Sequence, residues 1–258
     1  MINNLPGLLS LFFAATVAGA INSVAGGGTL ISFPSLVAFG EPDIISNATN
    51  TAALWPGSIS SAIGYRKDTK IQRSLLITLA IPSFVGGLFG AAILVFTSPQ
   101  IFTLVVPFLI LFATLMLASK DLITRRMKHS SGNEEDLSIL GRAWGVLFQL
   151  FVATYGGYFG AGIGILMLGS FSIMGLRDIN KMNALKTPLA AIVNLTAFVF
   201  FALRGLVVWY LAGLMVVGAV IGGYAGARLA THVDPRLLHY GIVIVGLIVS
   251  GWFFLKAF

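Results

Sequence analysis

The chain has 258 residues, of which 57% are hydrophobic and only 10% charged, with a mean hydropathy of +0.93. A soluble domain carries about 25% charged residues, so this composition belongs to an integral membrane protein. The apolar runs are continuous rather than alternating, which excludes a transmembrane β-barrel. Cysteine is absent, and with it disulfides, thiolate metal sites and cysteine catalysis. The net charge of +7 bears on orientation in the bilayer rather than on nucleic acid.

In chain order the sequence predicts eight apolar segments. The first runs from Leu5 to Phe39, and no basic residue precedes it, so Ala18-Gly-Ala20 does not read as a signal-peptide cleavage site. Inside it lies Ile21-Asn-Ser-Val-Ala-Gly-Gly-Gly-Thr29. Each glycine costs a helix about 1 kcal/mol relative to alanine, so the triplet predicts a break. At membrane depth, freed backbone is tolerated only where it is buried in protein or lines a cavity. Two readings fit the stretch: a binding site at a broken helix, or a glycine face for close helix packing. The second segment is Ser46–Tyr65 with Trp55-Pro56-Gly57 inside it, the third Ser74–Thr97 and the fourth Ile101–Ser119. A polar linker, Lys120–Gly141, separates residues 1–119 from residues 142–258. The remaining segments are Ala143–Gly175, Asn183–Leu203, Leu206–Thr231 and Leu237–Leu255. All nine acidic residues lie at or near segment ends.

The two parts repeat at a constant offset of 136 residues. Gly26 falls on Gly162, Gly28 on Gly164, Asn47-Ala48 on Asn183-Ala184, Thr51 on Thr187, Gly86-Gly87 on Gly222-Gly223, Gly90-Ala91 on Gly226-Ala227 and Pro99 on Pro235. Interrupted segments at matching positions point to a transporter site. Gly86/Gly90 and Gly222/Gly226 read instead as small-residue packing faces. A 35-residue segment such as Leu5–Phe39 would be about 50 Å long as one helix, against about 30 Å of hydrocarbon. Ala143–Gly175, punctuated by Gly160, Gly162 and Gly164, has the same excess. Half-helices folded back at the glycines leave three full crossings per repeat, an odd number, so the repeats are expected to be inverted. With the linker inside, that arrangement puts Arg66, Lys67, Lys70, Arg73, Lys120, Arg125, Arg126, Lys128, Arg142, Arg177, Lys181, Arg228 and Arg236 inside, and only Arg204 and Lys256 outside. A parallel arrangement moves four of the thirteen outside, so the positive-inside rule favours inversion. The expected fold class is an all-α polytopic membrane protein of two inverted repeats, each with one broken, re-entrant segment and three transmembrane helices.

Asn22-Ser-Val-Ala-Gly-Gly-Gly-Thr-Leu-Ile-Ser-Phe-Pro34, Asn47-Ala-Thr-Asn-Thr51, Gly160-Ala-Gly-Ile-Gly164 and Asn183-Ala-Leu-Lys-Thr187 resemble the sulfite exporter TauE/SafE family over nearly the whole chain. The resemblance implies a secondary transporter of small anions, chiefly sulfite, organosulfonates and related sulfur compounds, in a bacterial inner membrane. One departure is that the second glycine cluster alternates with Ala161 and Ile163 instead of running on.

The residues favour an anion on their own account. Half-helix N-termini meeting at mid-membrane present free N–H groups and a favourable dipole. The expected substrate contacts are Asn22, Ser23, Gly26, Gly27, Gly28 and Thr29 at the first break and Tyr158, Gly160, Gly162 and Gly164 at the second. Asn47, Asn50 and Thr51 near the start of the second segment, and Asn183, Lys186 and Thr187 at the matching places, complete the set. Tyr155 and Tyr158 read equally as interhelical hydrogen-bonding groups, and Asn194 as a structural one. Lys186 is a charge inside an apolar segment, the mark of a functional site, though a lysine four residues from the segment start can also snorkel to the interface. His129, His232 and His239 are scattered, and no carboxylate sits mid-span, so an enzyme is not expected, nor a cofactor or metal. The expected partners are the small anion, the bilayer and a coupling ion, proton or sodium. An anion channel or a carrier for short carboxylates would use the same donors.

Overall fold

The computed structural model describes residues 5–24, 26–65, 73–119, 139–176, 179–229 and 235–258. These residues form ten α-helices: α1 Leu5–Val24, α2 Thr29–Phe39, α3 Asp43–Tyr65, α4 Arg73–Phe96, α5 Pro99–Ala118, α6 Ile139–Tyr158, α7 Ile163–Ile173, α8 Ile179–Leu203, α9 Trp209–Leu229 and α10 Pro235–Ala257. Among the described residues, six helices are long and apolar enough to cross a membrane, drawn from α1, α4, α5, α8, α9 and α10. At 23 residues α3 is about 34 Å long, but Asn47, Asn50, Thr51, Ser58, Ser60 and Ser61 lower its hydropathy, and all six are buried. Its polar side chains face protein rather than the outside of the bundle. Most of the expected linker, residues 120–138, lies outside the described residues, as do His129 and His232.

The first apolar segment divides at its glycine triplet into a 20-residue arm and an 11-residue arm. α1 stops because Gly26 adopts φ +81°, a left-handed conformation that costs other residues about 1–2 kcal/mol. The Gly26 N–H closes the end on the Ile21 carbonyl at 3.1 Å. The chain then doubles back. Gly28 packs against the backbone of Ala18, and Leu36 clusters with Leu11 and Ala15, so α2 runs antiparallel along α1. The fifth segment does the same. Gly160 and Gly162 adopt φ +80° and +74°, α7 folds back on α6, and Ser170 Oγ donates to the Gly145 carbonyl at 3.3 Å.

Each hairpin's long arm packs on a helix from the other half of the chain. α1 lies along α9 and α6 along α4, with α3 and α8 packed together between these pairs and α5 against α10. The close pairs depend on glycine. A Cβ on Gly90 would overlap the Thr154 carbonyl oxygen, and one on Gly222 the Thr16 carbonyl oxygen, which agrees with the packing role expected of both faces. Phe33 of α2, Phe102 of α5, Phe159 of the second hairpin tip and Phe253 of α10 form one aromatic cluster. Phe33 lies 5.3 Å from Phe159 and 5.6 Å from Phe253, and Phe102 6.4 Å from Phe159. This cluster ties both hairpins to the α5–α10 pair. Pro56 does not end α3, and Trp55 before it stacks on Phe198 of α8 at 5.9 Å.

Candidate functional site

The two hairpin tips touch. A Cβ built on Gly26 would lie 2.5 Å from the Gly164 Cα, so only glycine permits this approach. Around the contact is a small cavity of about 20 Å³, room for one or two water molecules. Seven of the sixteen expected site residues line it: Asn22, Gly26 and Thr29 from the first hairpin, Gly160 and Gly164 from the second, and Lys186 and Thr187 from α8.

Each tip brings an α-helix C-terminus and an N-terminus to one place, so carbonyls and N–H groups both need partners there. At the N-terminus of α2, the Gly28 N–H donates to Asn22 Oδ1 at 2.9 Å. At the C-terminal end of α1, Lys186 Nζ donates to the Ser23 carbonyl at 3.1 Å. At the end of α6, Asn47 Nδ2 donates to the Tyr158 carbonyl at 2.9 Å. Two helices, α8 and α3, thus each send one side chain to the tip of a hairpin from the other half of the chain. Tyr155 closes the second tip on itself, its hydroxyl donating to the Ala161 carbonyl at 2.8 Å.

Lys186 is 1% exposed. α8 begins at Ile179, earlier than the apolar run suggests, so Lys186 lies about 10 Å along the helix and not at its first turn. The ammonium is packed inside the protein beside the cavity instead of reaching back along the helix to the interface. A cation at the C-terminus of α1 is favoured by the dipole there. The same charge, buried and lining a cavity, attracts an anion more strongly than it would in water.

The other expected residues are placed differently. Asn50, 1% exposed, donates from Nδ2 to Thr29 Oγ1 at 3.4 Å, so it reaches the site through Thr29. Thr51 and Thr187 donate to carbonyls of their own helices, Asn47 at 2.9 Å and Ala184 at 3.4 Å. Ser23 donates to the Ala20 carbonyl at 2.7 Å and offers its own carbonyl to Lys186. Gly27 and Gly162 lie behind the tips, against Leu117 and Ala113 of α5. The Tyr158 ring packs on Phe102, 5.8 Å away. Asn183 is outside the cavity lining. The Oδ1 atoms of Asn47, Asn50 and Asn183 are buried with no hydrogen-bond partner among the described residues.

Five cavity residues were absent from the expected set: Ser58, Ser61, Ile163, Ala190 and Asn194. Ser58 and Asn194 occupy equivalent places at the 136-residue offset, so the repeat itself carried a signal for them. It was a weak one, because serine and asparagine do not match as a pair. Ser58 and Ser61 spend their protons on the Leu54, Gly57 and Gly223 carbonyls, leaving oxygen acceptors toward the cavity.

The family profile described as "Sulfite exporter TauE/SafE" matches residues 11–253. The chain is 30% identical over 245 residues to the "Probable membrane transporter protein YfcA" of Escherichia coli K12, covering 93% of this chain and 87% of that one. It is 27% identical over 254 residues to a "Probable membrane transporter protein" of Haemophilus influenzae, covering 95% and 96%. A Sinorhizobium relative, "Probable membrane transporter protein ORF9", is 27% identical over 248 residues, covering 94% and 90%. No solved structure matches the chain. With six candidate spans and a family match along almost its entire length, the chain is a multi-pass membrane transporter of the sulfite exporter TauE/SafE family.

Proposed function

We propose that this transporter is a secondary carrier of small anions, sulfite, an organosulfonate or a related sulfur anion, that binds between the two hairpin tips. The observation that carries the reading is Lys186: buried to 1% exposure, on the lining of a cavity bounded by both tips. The N-termini of α2 and α7 lie at the same tips, where Lys186 and Asn47 donate to carbonyls at the opposing C-termini of α1 and α6. The narrowness of the cavity favours a carrier, caught closed around its site, over a channel. The chain is an exporter or importer of the substrate and performs no chemistry on it.

The carrier is further proposed to consist of two inverted membrane repeats, residues 1–119 and 142–258, joined by a cytoplasmic linker at 120–141, in a bacterial inner membrane. Equal spacing supports the repeat: α3, α4 and α5 begin 136 residues before α8, α9 and α10. The exchanged pairings, α1 with α9 and α6 with α4, are those a pseudo-twofold axis in the membrane plane would generate. Coupling to a proton or sodium belongs to the same proposal, supported by the buried acceptor oxygens of Asn47 and Asn50.

Proteoliposome flux against sulfite, alkylsulfonates, thiosulfate, sulfate and short carboxylates, with sodium and pH gradients imposed separately, tests the reading. Uptake of a sulfur anion that Lys186→Gln abolishes and Lys186→Arg impairs is expected, since a planar guanidinium does not replace a compact ammonium. Flux of carboxylates alone would reassign the substrate. Wild-type rate and affinity in Lys186→Gln would leave the lysine as a cap on α1 and remove it from the binding site.

A further inference from the structure

We infer that the mouth at the N-terminal end of α3 carries a second binding site, for a small organic anion with a sulfonate or carboxylate head and a short apolar body. A cavity of about 670 Å³ opens there, within the 300–1,000 Å³ typical of small-molecule sites and far larger than the cavity between the hairpin tips. Its walls come from the first turn of α3, the ends of α4 and α10, the start of α5 and the segment after α8. The two cavities share no lining residue, so this site stands or falls apart from the one at Lys186.

Charge decides the ligand's sign. Three charged side chains line the mouth: Asp43, Arg204 and Lys256. The Asp43 carboxylate is already engaged on both oxygens. Oδ2 accepts from Thr103 Oγ1 at 2.6 Å, and Oδ1 lies 3.5 Å from Lys256 Nζ. The Asp43 side chain is 8% exposed and that of Lys256 43% exposed, so the ammonium is the more accessible member of the pair. Arg204 lies over the rings of Phe96 and Phe200, 5.8 and 5.4 Å from their centroids. Ring faces position a cation without cancelling its charge. Glu41 is near in sequence but outside the lining. The cavity therefore has a surplus of one positive charge beside apolar walls from Ile44, Ile45, Val95 and Leu206. An inorganic oxyanion would leave those walls wet; an anion with a short hydrocarbon body covers them.

The native chain has no cysteine, so Thr97→Cys, on the cavity lining, introduces a single thiol as a probe. In purified full-length protein at low salt, a sulfonate-bearing methanethiosulfonate reagent should label it about tenfold faster than the trimethylammonium analogue, after correction for intrinsic reactivity. Arg204→Gln with Lys256→Gln should bring that ratio near one. Raising salt to about 0.5 M should do the same with the arginine and lysine intact, which keeps the test decisive if the double variant does not fold. 1-Propanesulfonate should protect the thiol from a neutral methanethiosulfonate, and propyltrimethylammonium should not. A ratio indifferent to salt, or equal protection by the two propyl ions, overturns the site. Lys186→Ala should leave the labelling ratio unchanged whether or not it abolishes flux.

Discussion

Gly26, Gly27 and Gly28 stand side by side but meet different surroundings. Gly26 needs its left-handed backbone and presses on Gly164, Gly28 presses on the Ala18 carbonyl, and a Cβ on Gly27 would make ordinary 3.7 Å contacts with Leu30 and Leu117. Gly26→Ala and Gly28→Ala are therefore expected to destabilise by about 2 kcal/mol or more and to lose transport. Gly27→Ala should stay within about 0.5 kcal/mol. Thermal midpoints in detergent alongside flux check the order; a Gly27→Ala variant as damaged as the other two would contradict it. The run of three glycines announced a break in the sequence, but which of them the break depends on is a matter of tertiary contact. Lys186 shows the same boundary of legibility. Its rarity as a charge in an apolar segment was visible, while its depth was not, because α8 extends through polar residues that the apolar run does not include.

Among the elements, the glycine faces of α4 and α9 are the most exacting. Gly90 and Gly222 lie against carbonyl oxygens of α6 and α1, whereas Gly213 and Gly241 have nothing within 4 Å of where a Cβ would be. Gly90→Leu and Gly222→Leu should each cost about 1–3 kcal/mol and shift the purified protein toward aggregation on size exclusion. Gly213→Ala and Gly241→Ala should elute and melt as the native chain does, and equal behaviour of all four would refute the packing assignment. Hairpins in place of straight helices were legible from length and glycine together, since 35 residues exceed one crossing but a tilted, kinked helix absorbs part of the excess. Their unequal arms follow from where the glycines stand, 26–28 in a segment that runs from Leu5 to Phe39.

For the molecule as a whole, the proposed inverted arrangement makes a directional forecast. A cysteine at Glu41 and one at Lys181 should be labelled by a membrane-impermeant reagent from opposite sides, the first from outside and the second from inside. Labelling of both from one side would rule out inversion. The forecast rests on the distribution of lysine and arginine, a signal set by insertion energetics and independent of packing. The pairing of α1 with α9 and of α6 with α4 left no such trace, because small-residue faces fit any other small-residue face and the partner emerges only when all helices are placed together.

That pairing also sets an order of events during synthesis. α1 is made before its principal neighbour α9, which begins at Trp209, about 185 residues after α1 ends at Val24. At about 5–20 residues per second, α1 waits roughly ten to forty seconds in the membrane before Lys186 of α8 reaches the Ser23 carbonyl and α9 covers its glycine-matched groove. The first half of the chain therefore cannot complete its packing before the second is inserted. The nascent first half is thus a client for whatever shields polar transmembrane segments during insertion, and its lifetime in that state lengthens with any pause in translating residues 120–208.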